Sequence, residues 1–331
     1  MAAHIAVSDV SKYFKRFRKD AGIAGSLKSL VRREFETIKA VDGISFEIEN
    51  GECVGFIGPN GAGKTTTLKC LTGLLYPTSG TVSVLGYTPF ERKPEFLRRI
   101  SLVMGRKNQL WWDLPASDSF LLNKEIYDIS DRAYKKSMDE LTDMLDLEDV
   151  LDVQVRKLSL GQRMRCELAA ALLHAPEVVF LDEPTIGLDV TVQKKLRDFF
   201  RHYNEKHGTT ILLTSHNMDD VSQLCERVII IDAGKIVFDG ALKKIVREYV
   251  RHKHISLVFH TEVKRDDIGK YGEIVECDAT SATISVPRPD VPKVSAEMLR
   301  SFPVDDLDIK EIELDEVVRL IFSRVTEKEK R

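Results

Sequence analysis

A glycine-rich turn between an apolar run and a helical pattern is the part of the sequence with the clearest chemistry. It reads GPNGAGKTT over residues 58–66 and fits the spacing Gly-x-x-x-x-Gly-Lys-Thr. Glycines here allow the backbone to curl so that successive N–H groups point at phosphate oxygens, where a side chain would block the approach. The helix that follows directs the positive end of its dipole at the same anion. The turn therefore predicts a site for a nucleoside triphosphate with Mg²⁺.

The side chains of this turn predict separate roles. Lys64 can reach the β- and γ-phosphates, and the Thr65 hydroxyl can coordinate Mg²⁺. The context agrees, because Cys53–Ile57 is predicted to be a buried strand and Lys64–Leu71 a helix. The glycines that shape the cradle are Gly58, Gly61 and Gly63.

Two adjacent acidic residues follow a second apolar run, in EVVFLDEPTIGLD. The predicted strand over residues 178–181 delivers Asp182 to the carboxyl edge of a sheet, where a carboxylate can hold Mg²⁺. Glu183 comes next and is a candidate general base that polarises the attacking water. Neighbouring acids can also be solvated or bridged to basic groups, but the phosphate-binding turn favours the catalytic interpretation.

These residues require a sheet whose strands end at a common edge. Apolar segments separated by helical patterns are predicted strands, which indicates an α/β domain with a largely parallel sheet. Between about residues 115 and 174 the strand signals vanish, and helix-forming sequence such as DRAYKKSMDELTDMLDLEDV indicates an inserted helical subdomain. The predicted strands cover residues 44–48, 53–57, 178–181, 210–213 and 228–231.

After residue 240 the pattern changes to that of a smaller unit. A predicted helix in ALKKIVREYVRHK is followed by short predicted strands in ISLVF, EIVEC and ATISV. We therefore divide the chain into residues 1–240, the α/β domain, and residues 241–331, a small C-terminal α+β appendage. In its last segment, five apolar side chains fall on one face of a predicted helix: Leu314, Val317, Val318, Ile321 and Val325.

Composition limits the classes of function. The 331 residues carry a formal net charge of -3, so overall basicity gives no support for nucleic acid as the main partner. The five cysteines are scattered and odd in number, which is typical of free thiols in a reducing compartment, and we expect no metal site from them. The N-terminal sequence lacks a signal-peptide pattern and the apolar runs have strand length. We expect a chain that is neither secreted nor membrane-spanning.

Five motifs in a fixed order resemble the ATPase subunit of ATP-binding-cassette (ABC) transporters. They are GPNGAGKTT, the glutamine in RKNQLWW, LSLGQ, VVFLDEPTIGLD and TSHNMDDV, and the linking text, such as GLLYPTSGTVSVLGY, is also similar. The resemblance covers about residues 4–240. It implies a P-loop ABC-type nucleotide-binding domain with an inserted helical subdomain, an ATPase activity, and ATP and Mg²⁺ as cofactors.

The resemblance implies a role for each motif residue. Glu183 would act as general base, and Gln109 would sense Mg²⁺ and the attacking water. His216 would contact the γ-phosphate; a lone histidine is more often structural, but this one follows Thr-Ser at a predicted strand end. Asp189 would belong to the loop that links two sites across a dimer. The residues that would support Mg²⁺ are Thr65, Gln109 and Asp182. Those that would bind the triphosphate are Gly58, Asn60, Gly61, Gly63, Lys64, Thr65 and Thr66.

The same resemblance implies partners. Two nucleotide-binding domains would pack head to tail, with Ser159, Gly161 and Gln162 of each completing the site of the other. A homodimer is favoured, together with integral-membrane permease subunits. The commonest form of this motif is Leu-Ser-Gly-Gly-Gln, and Leu160 replaces its first glycine here. We expect function to survive because Gly161 still allows close approach of a phosphate.

Near the N-terminus the family usually has an aromatic ring that stacks on adenine. Phe14 fits that pattern and Tyr13 is the rival. An unusually long segment, about residues 15–39, follows and carries an apolar stripe. It is interpreted as a helix packed on its own domain or as a contact with anionic lipid or the permease, and the sequence leaves both open. The stripe consists of Ile23, Leu27, Leu30, Val31 and Phe35.

The resemblance favours a membrane-peripheral ATPase at the cytoplasmic face that dimerises on ATP and drives a separate permease, with export favoured over import. Trp111 and Trp112, just after Gln109, are either core or hinge packing or an anchor for that permease. The alternative is a soluble ABC-family ATPase that acts on ribosomes or nucleic acid, although the paired cassettes and long coiled coils of such members are absent. A kinase with the same phosphate-binding turn would not explain LSLGQ.

Overall fold

Two compact units make up the chain, residues 1–240 and residues 241–331. The computed structural model describes residues 4–17, 35–105, 107–215, 217–249, 252–311 and 317. Within these residues, the elements up to the boundary are β1 (Ile5–Phe17), β2 (Phe35–Ile48), β3 (Cys53–Ile57), α1 (Lys64–Leu71), β4 (Ser79–Val84), α2 (Pro94–Leu97), β5 (Ile100–Met104), α3 (Ala116–Ile126), α4 (Asp131–Leu145), α5 (Leu160–Leu172), β6 (Val178–Asp182), α6 (Val190–His207), β7 (Thr210–Thr214), α7 (Met218–Leu224), β8 (Arg227–Asp232) and β9 (Lys235–Ala241).

A largely parallel sheet carries the first unit. In the described part of the chain its strand order is β5-β6-β7-β3-β8-β9, and the neighbours from β5 to β8 are parallel. Strands β3, β6 and β7 are buried over nearly their whole length, as expected for parallel strands covered on both faces. The predicted α/β class is confirmed, and all five predicted strands are present.

An antiparallel sheet of order β2-β1-β4 supplies a second layer in the described residues. Its buried side chains join those of α1 and β3 in one apolar cluster, which includes Ile5, Val41, Phe56 and Leu68. The helix that follows the phosphate-binding turn is therefore held by apolar contacts with both sheets. This packing fixes the position of α1, the helix into which the phosphate-binding turn leads.

The segment expected to be an insertion, residues 15–39, begins and ends in strand. Strands β1 and β2 stay paired as far as Phe17 and Phe35. Phe35 therefore belongs to a β-ribbon, and its assignment to a helical stripe was wrong, because antiparallel pairing extends past the point where the apolar pattern weakens. The remaining stripe residues, Ile23, Leu27, Leu30 and Val31, lie outside the described residues.

The helix-forming region between β5 and β6 contains helices α3, α4 and α5. Helix α5 begins with a capping box: Gln162 N–H donates to Ser159 Oγ at 3.2 Å, and Ser159 N–H donates to Gln162 Oε1 at 2.9 Å. The motif LSLGQ thus occupies the start of a helix whose remaining side chains are mostly buried. Its backbone N–H groups point out of the helix at that end.

Helix α7 packs closely on β3, and this contact brings two cysteines together. A Cβ atom on Gly55 would lie 2.7 Å from Val221 Cγ1, so only glycine allows the helix this close. Cys53 Sγ and Cys225 Sγ are 3.5 Å apart, and all five cysteines are free thiols. The cysteines that look scattered in the sequence therefore include one neighbouring pair.

The second unit is a small α+β fold, as predicted. Its described elements are α8 (Leu242–Tyr249), β10 (His252–Phe259), α9 (Arg265–Ile268), β11 (Glu273–Cys277), β12 (Ser281–Pro287), α10 (Val291–Ser301) and β13 (Val304–Glu311). The strands pair antiparallel in the order β11-β12-β10-β13. Alternate residues of β10 point into an apolar core with α10, namely Ile255, Leu257 and Phe259.

The end of the chain agrees with the prediction only in part. Strand β13 was not foreseen, because the alternation in VDDLDIKE is interrupted by charges. Val317 is helical and buried, as predicted. The other residues of the predicted helical face, Leu314, Val318, Ile321 and Val325, lie outside the described residues.

A buried acid, Asp220, ties together the loops at the carboxyl edge of the parallel sheet. Its carboxylate accepts hydrogen bonds from Arg197 Nη1 at 2.9 Å, Thr185 Oγ1 at 2.5 Å and Ser215 Oγ at 3.0 Å. The Asp220 side chain is 1% exposed and that of Arg197 is 6% exposed. Ionised groups at this depth need such partners, since burial without them costs several kcal/mol. Asp220 therefore fixes Thr185 and Ser215 relative to α6.

We predict that Asp220→Ala lowers the free energy of unfolding of the first unit by roughly 3 to 5 kcal/mol, because it leaves the buried Arg197 guanidinium without its carboxylate. Chemical denaturation checks this. The matched control is Asp198→Ala on α6, the helix that carries Arg197, because the exposed pair of Asp198 with Arg201 should be worth less than about 0.5 kcal/mol. Equal losses in the two variants would contradict the role given to Asp220.

Candidate ATP-binding and hydrolysis site

The phosphate-binding turn connects β3 to α1 and is shaped by close backbone contacts. Gly63 has a φ of 112°, and a Cβ atom there would lie 2.4 Å from Ala40 O. A Cβ atom on Gly58 would lie 2.2 Å from Ile231 O. Both positions therefore require glycine for the turn to keep this path. The structure places the turn between β2 and β8 and leaves its outer side, including Asn60 and Gly61, exposed.

Lys64 is folded back onto the turn. Its Nζ donates to Gly58 O at 2.7 Å and to Pro59 O at 3.2 Å. Burial lowers the pKa of the Lys64 amine, and the nearby carboxylates of Glu183 and Asp182 oppose this effect. The Lys64 amine therefore lies close to two acids and two carbonyl oxygens, and these oxygens stabilise its positive charge.

Thr65 and Asp182 meet at the carboxyl edge of the sheet. Thr65 Oγ1 donates to Asp182 Oδ2 at 2.9 Å, and Thr214 Oγ1 donates to Asp182 Oδ1 at 2.7 Å. A hydroxyl and a carboxylate in contact are hard oxygen donors of the kind that Mg²⁺ prefers. This donor set fits a magnesium ion. Thr66 follows in the first turn of α1 and is half-buried.

Glu183 lies beside Asp182 in a left-handed backbone conformation, with a φ of 54°. Its N–H donates to Thr214 O at 3.0 Å, so the residue is held at the end of β7. A non-glycine residue in this region is strained, and such strain concentrates at functional positions. Glu183 and Asp182 border a cleft of about 310 Å³ with Asn60, Thr65, Lys69, Met104 and Lys107.

Gln109 is not among the residues that border this cleft in the structure. Its side-chain Nε2 donates to Leu102 O of β5 at 2.7 Å. Its backbone N–H donates to both oxygens of Glu167 on α5, at 2.9 Å and 3.0 Å. The predicted contact of Gln109 with Mg²⁺ and water therefore requires the side chain to leave Leu102.

The LSLGQ motif and Asp189 meet at the first turn of α6. Asp189 Oδ1 accepts a hydrogen bond from Val192 N–H at 2.9 Å and caps that helix. A Cβ atom on Gly161 would lie 3.1 Å from Val192 Cγ2. Ser159, Gly161 and Asp189 do not border the cleft that contains Thr65 and Asp182. His216, the predicted γ-phosphate ligand, lies outside the described residues.

The two aromatic candidates near the N-terminus differ in their surroundings. Tyr13 is hydrogen-bonded within the protein, since its hydroxyl donates to Asp42 Oδ1 at 2.5 Å. Phe14 is 39% exposed, and Lys12 Nζ lies 5.3 Å from the centroid of its ring. Phe14 therefore has more ring surface available for stacking than Tyr13.

Two residues that contribute to this region were not singled out from the sequence. Thr214 binds both Asp182 and Glu183, and its signal is a polar residue at the end of an apolar strand in TILLT. Glu167 is a lone acid in the alanine-rich helix α5, where an exposed position would have been the ordinary expectation. In fact Glu167 is only 3% exposed.

Comparison with known proteins finds two matching families. The family described as "ABC transporter" matches residues 41–186, and the one described as "EvrA-like ABC transporter, C-terminal domain" matches residues 251–310. The "ABC transporter ATP-binding protein NatA" of Bacillus subtilis (strain 168) is 32% identical over 230 residues, which cover 70% of this chain and 93% of that protein. The chain belongs to the ABC transporter ATP-binding protein family. It is accordingly an ATP-binding protein and an ATPase.

This ABC ATPase has further relatives of the same kind. The "Nod factor export ATP-binding protein I" of Burkholderia pseudomallei (strain 1710b) is 32% identical over 261 residues, which cover 78% of this chain and 85% of that protein. A solved dimeric ATP-binding cassette in a post-hydrolysis state, bound to ADP and Pi, matches with a TM-score of 0.60 and 25% identity, over 72% of this chain and 98% of the other. Among the described helices, none has the length and apolar character needed to cross a membrane.

We predict that Lys64→Ala lowers kcat for ATP hydrolysis by more than about a hundredfold, because it removes a cationic donor from the phosphates. A phosphate-release assay on the purified chain checks this. Lys93→Ala is the control, since that lysine is an exposed partner of Glu91. Normal turnover of Lys64→Ala would refute its role at the phosphates.

We predict that Phe14→Ala raises the Kd for ATP by about tenfold through loss of a ring that stacks on the adenine base. Fluorescent-nucleotide titration measures this. Tyr13→Phe should leave the Kd unchanged, because it keeps the ring and removes only the bond to Asp42. If Tyr13→Ala weakens binding and Phe14→Ala does not, Tyr13 is the stacking residue instead.

Proposed function

We propose that this ABC ATPase is the energy-supplying subunit of an exporter, that it dimerises on ATP, and that it drives a separate membrane permease. The observation that carries the proposal is that the LSLGQ residues do not border the cleft. Thr65, Asp182 and Glu183 border it, while Ser159 and Gly161 lie at the start of α5, elsewhere on the chain. A second copy packed head to tail would bring its own Ser159 and Gly161, at the N-terminus of its α5, to the nucleotide in this cleft.

In this mechanism the residues of one chain hold ATP and those of the partner close over it. Lys64 and the N–H groups of the turn would bind the β- and γ-phosphates, and Thr65 and Asp182 would hold Mg²⁺. Bound Mg²⁺ supplies charge neutralisation on the phosphate oxygens. Glu183 would accept a proton from the water that attacks the γ-phosphorus, and the products are ADP and phosphate.

The remaining family residues would complete this arrangement. Gln109 would turn from Leu102 towards the metal and the attacking water, and His216 would contact the γ-phosphate. Asp189 would lie at the interface between the copies, next to the start of α6. Loss of the γ-phosphate removes the charge that holds the two copies together, so hydrolysis would open the dimer and move the permease.

The direction of transport and the location of the protein are inferred from its relatives. The curated relative from Burkholderia pseudomallei is named for Nod factor export, which supports export over import. A permease partner implies attachment to the cytoplasmic face of the membrane. The alternative, a soluble ABC ATPase acting on ribosomes or nucleic acid, is not favoured, because the relatives described above carry transport names.

We predict that Glu183→Gln binds ATP, hydrolyses it at least about a hundredfold more slowly, and accumulates as a dimer. The amide cannot accept the proton, but it preserves the shape of the side chain. Light scattering after gel filtration, with and without ATP and Mg²⁺, measures the mass. A monomer at saturating ATP would count against the head-to-tail arrangement.

Glu183→Gln also tests whether the partner is a membrane permease. Glu183→Gln trapped with ATP and Mg²⁺ in its native cells, extracted in mild detergent, should co-purify with a multi-span membrane protein that mass spectrometry identifies. Lys64→Ala is the matched control, because it should not form the ATP-bound dimer. Recovery of ribosomal or DNA-associated proteins instead would replace the exporter by the soluble alternative.

A further inference from the structure

A buried carboxylate connects helix α5 to the loop that carries Gln109. Glu167 lies in the middle of α5 and is 3% exposed. Its Oε1 accepts hydrogen bonds from the backbone N–H groups of Gln109 at 2.9 Å and Leu110 at 3.3 Å, and its Oε2 accepts the Gln109 N–H at 3.0 Å. Burial raises the pKa of the Glu167 carboxyl, and the two backbone hydrogen bonds and the positive charge of Arg163 oppose that rise.

The loop is hydrogen-bonded to the parallel sheet before Gln109 and to the helical subdomain after it. On the N-terminal side of Gln109, Gly105 N–H donates to Asp182 O of β6 at 2.9 Å. Lys107 N–H donates to Met104 O of β5 at 2.9 Å. After Gln109, Trp111 N–H donates to Ser119 Oγ of α3 at 3.3 Å. Gln109 is therefore the residue at which the chain passes from the sheet to the helical subdomain.

The residues beyond Gln109 are held by the helical subdomain at several further points. Arg156 N–H donates to Trp112 O at 3.0 Å, and the Arg163 guanidinium of α5 lies 5.6 Å from the Trp112 ring centroid. Among these contacts, the one with Glu167 is made by the backbone of Gln109 itself. The Gln109 backbone is thus bound to α5, while its side chain is bound to Leu102 of β5.

We propose that Glu167 is a positioning residue for ATP hydrolysis, whose carboxylate makes the Gln109 backbone move together with helix α5. The LSLGQ motif begins the same helix, eight residues before Glu167 at Ser159. A movement of α5 would therefore shift both the LSLGQ motif and the base of the Gln109 side chain. Release of Gln109 from Leu102 would then depend on where the helical subdomain lies.

The chemistry of the contact explains why an acid occupies this buried position. The two N–H groups of the loop point at α5 and would be left without a hydrogen-bond partner by an apolar residue, which is unfavourable in the protein interior. A carboxylate can accept at both oxygens and offers no donor that would repel them. Hydrogen bonds are directional, so this contact sets the position of the loop more tightly than apolar packing would.

This inference rests on the proposed role of Gln109 in hydrolysis, and a double-mutant cycle separates the two. We compare the wild-type chain with Gln109→Ala, Glu167→Gln and the double variant, measuring kcat, the KM for ATP and the melting temperature. Glu167→Gln keeps the shape but turns an NH₂ group towards the Gln109 N–H. We expect each single change to lower kcat by about tenfold with the KM within about twofold. The double variant should equal either single variant, because both changes act on one step.

The outcomes are distinct. If Gln109→Ala leaves kcat unchanged, the proposed role of Gln109 fails and the inference fails with it. If Gln109→Ala lowers kcat but the double variant shows the product of the two losses, about a hundredfold, Gln109 acts in hydrolysis and Glu167 does not act through it. If Glu167→Gln does not fold, Glu167→Asp replaces it in the cycle, because it keeps the negative charge but shortens the side chain. Loss of folding in both variants would overturn a positioning role.

Tryptophan fluorescence gives a further measurement, with its own control variant. Both tryptophans of the chain, Trp111 and Trp112, lie in this loop, so intrinsic fluorescence reports its position. ATP with Mg²⁺ should change the emission of the wild-type chain, and Glu167→Gln should reduce that change at equal ATP occupancy; an unaltered response would overturn the inference. The matched control is Glu140→Gln, a largely buried acid of α4 that binds Lys206 and His207, which should leave kcat and the emission response as in the wild type.

Discussion

The site depends on the hydrogen bonds that Asp182 accepts from Thr65 and Thr214. Thr65 and Asp182 are 117 positions apart in the sequence, and they meet because β3, β7 and β6 are parallel neighbours that end at one edge of the sheet. A slip of β6 by one residue would turn Asp182 to the opposite face of the sheet and separate it from both hydroxyls. The register of these strands is therefore the constraint that brings Thr65, Thr214 and Asp182 together beside the phosphate-binding turn.

Buried acids then attach the surrounding loops to this edge. Asp220 holds Thr185 and Ser215, and Glu167 holds the backbone of Gln109. An ionised carboxylate inside the protein is costly unless its oxygens are satisfied, so each of these acids permits few arrangements of the loop that it binds. The loops that are expected to contact nucleotide are thus positioned by directional polar contacts, whereas the sheets and α1 are held by apolar packing.

Much of the fold could be predicted from local patterns. Apolar strands and the glycine spacing of the turn each lie within a short stretch of sequence, and the structure contains both. The prediction was wrong where pairing overrides the local pattern. Phe35 belongs to a β-ribbon because it pairs with Phe17, and β13 forms despite its charges because β10 offers an unpaired edge.

The sequence by itself determined the family, the ATPase chemistry and the identity of the residues in the phosphate-binding turn, because these depend on residue types at short spacing. Only the tertiary structure decided that Gln109 rests on Leu102, that Ser159 and Gly161 lie away from the cleft, and that Glu167 is buried against the loop. These facts depend on contacts such as the one between Gln109 and Glu167, which are 58 positions apart. The packing of helices on the sheet sets such distances, and no local spacing encodes them.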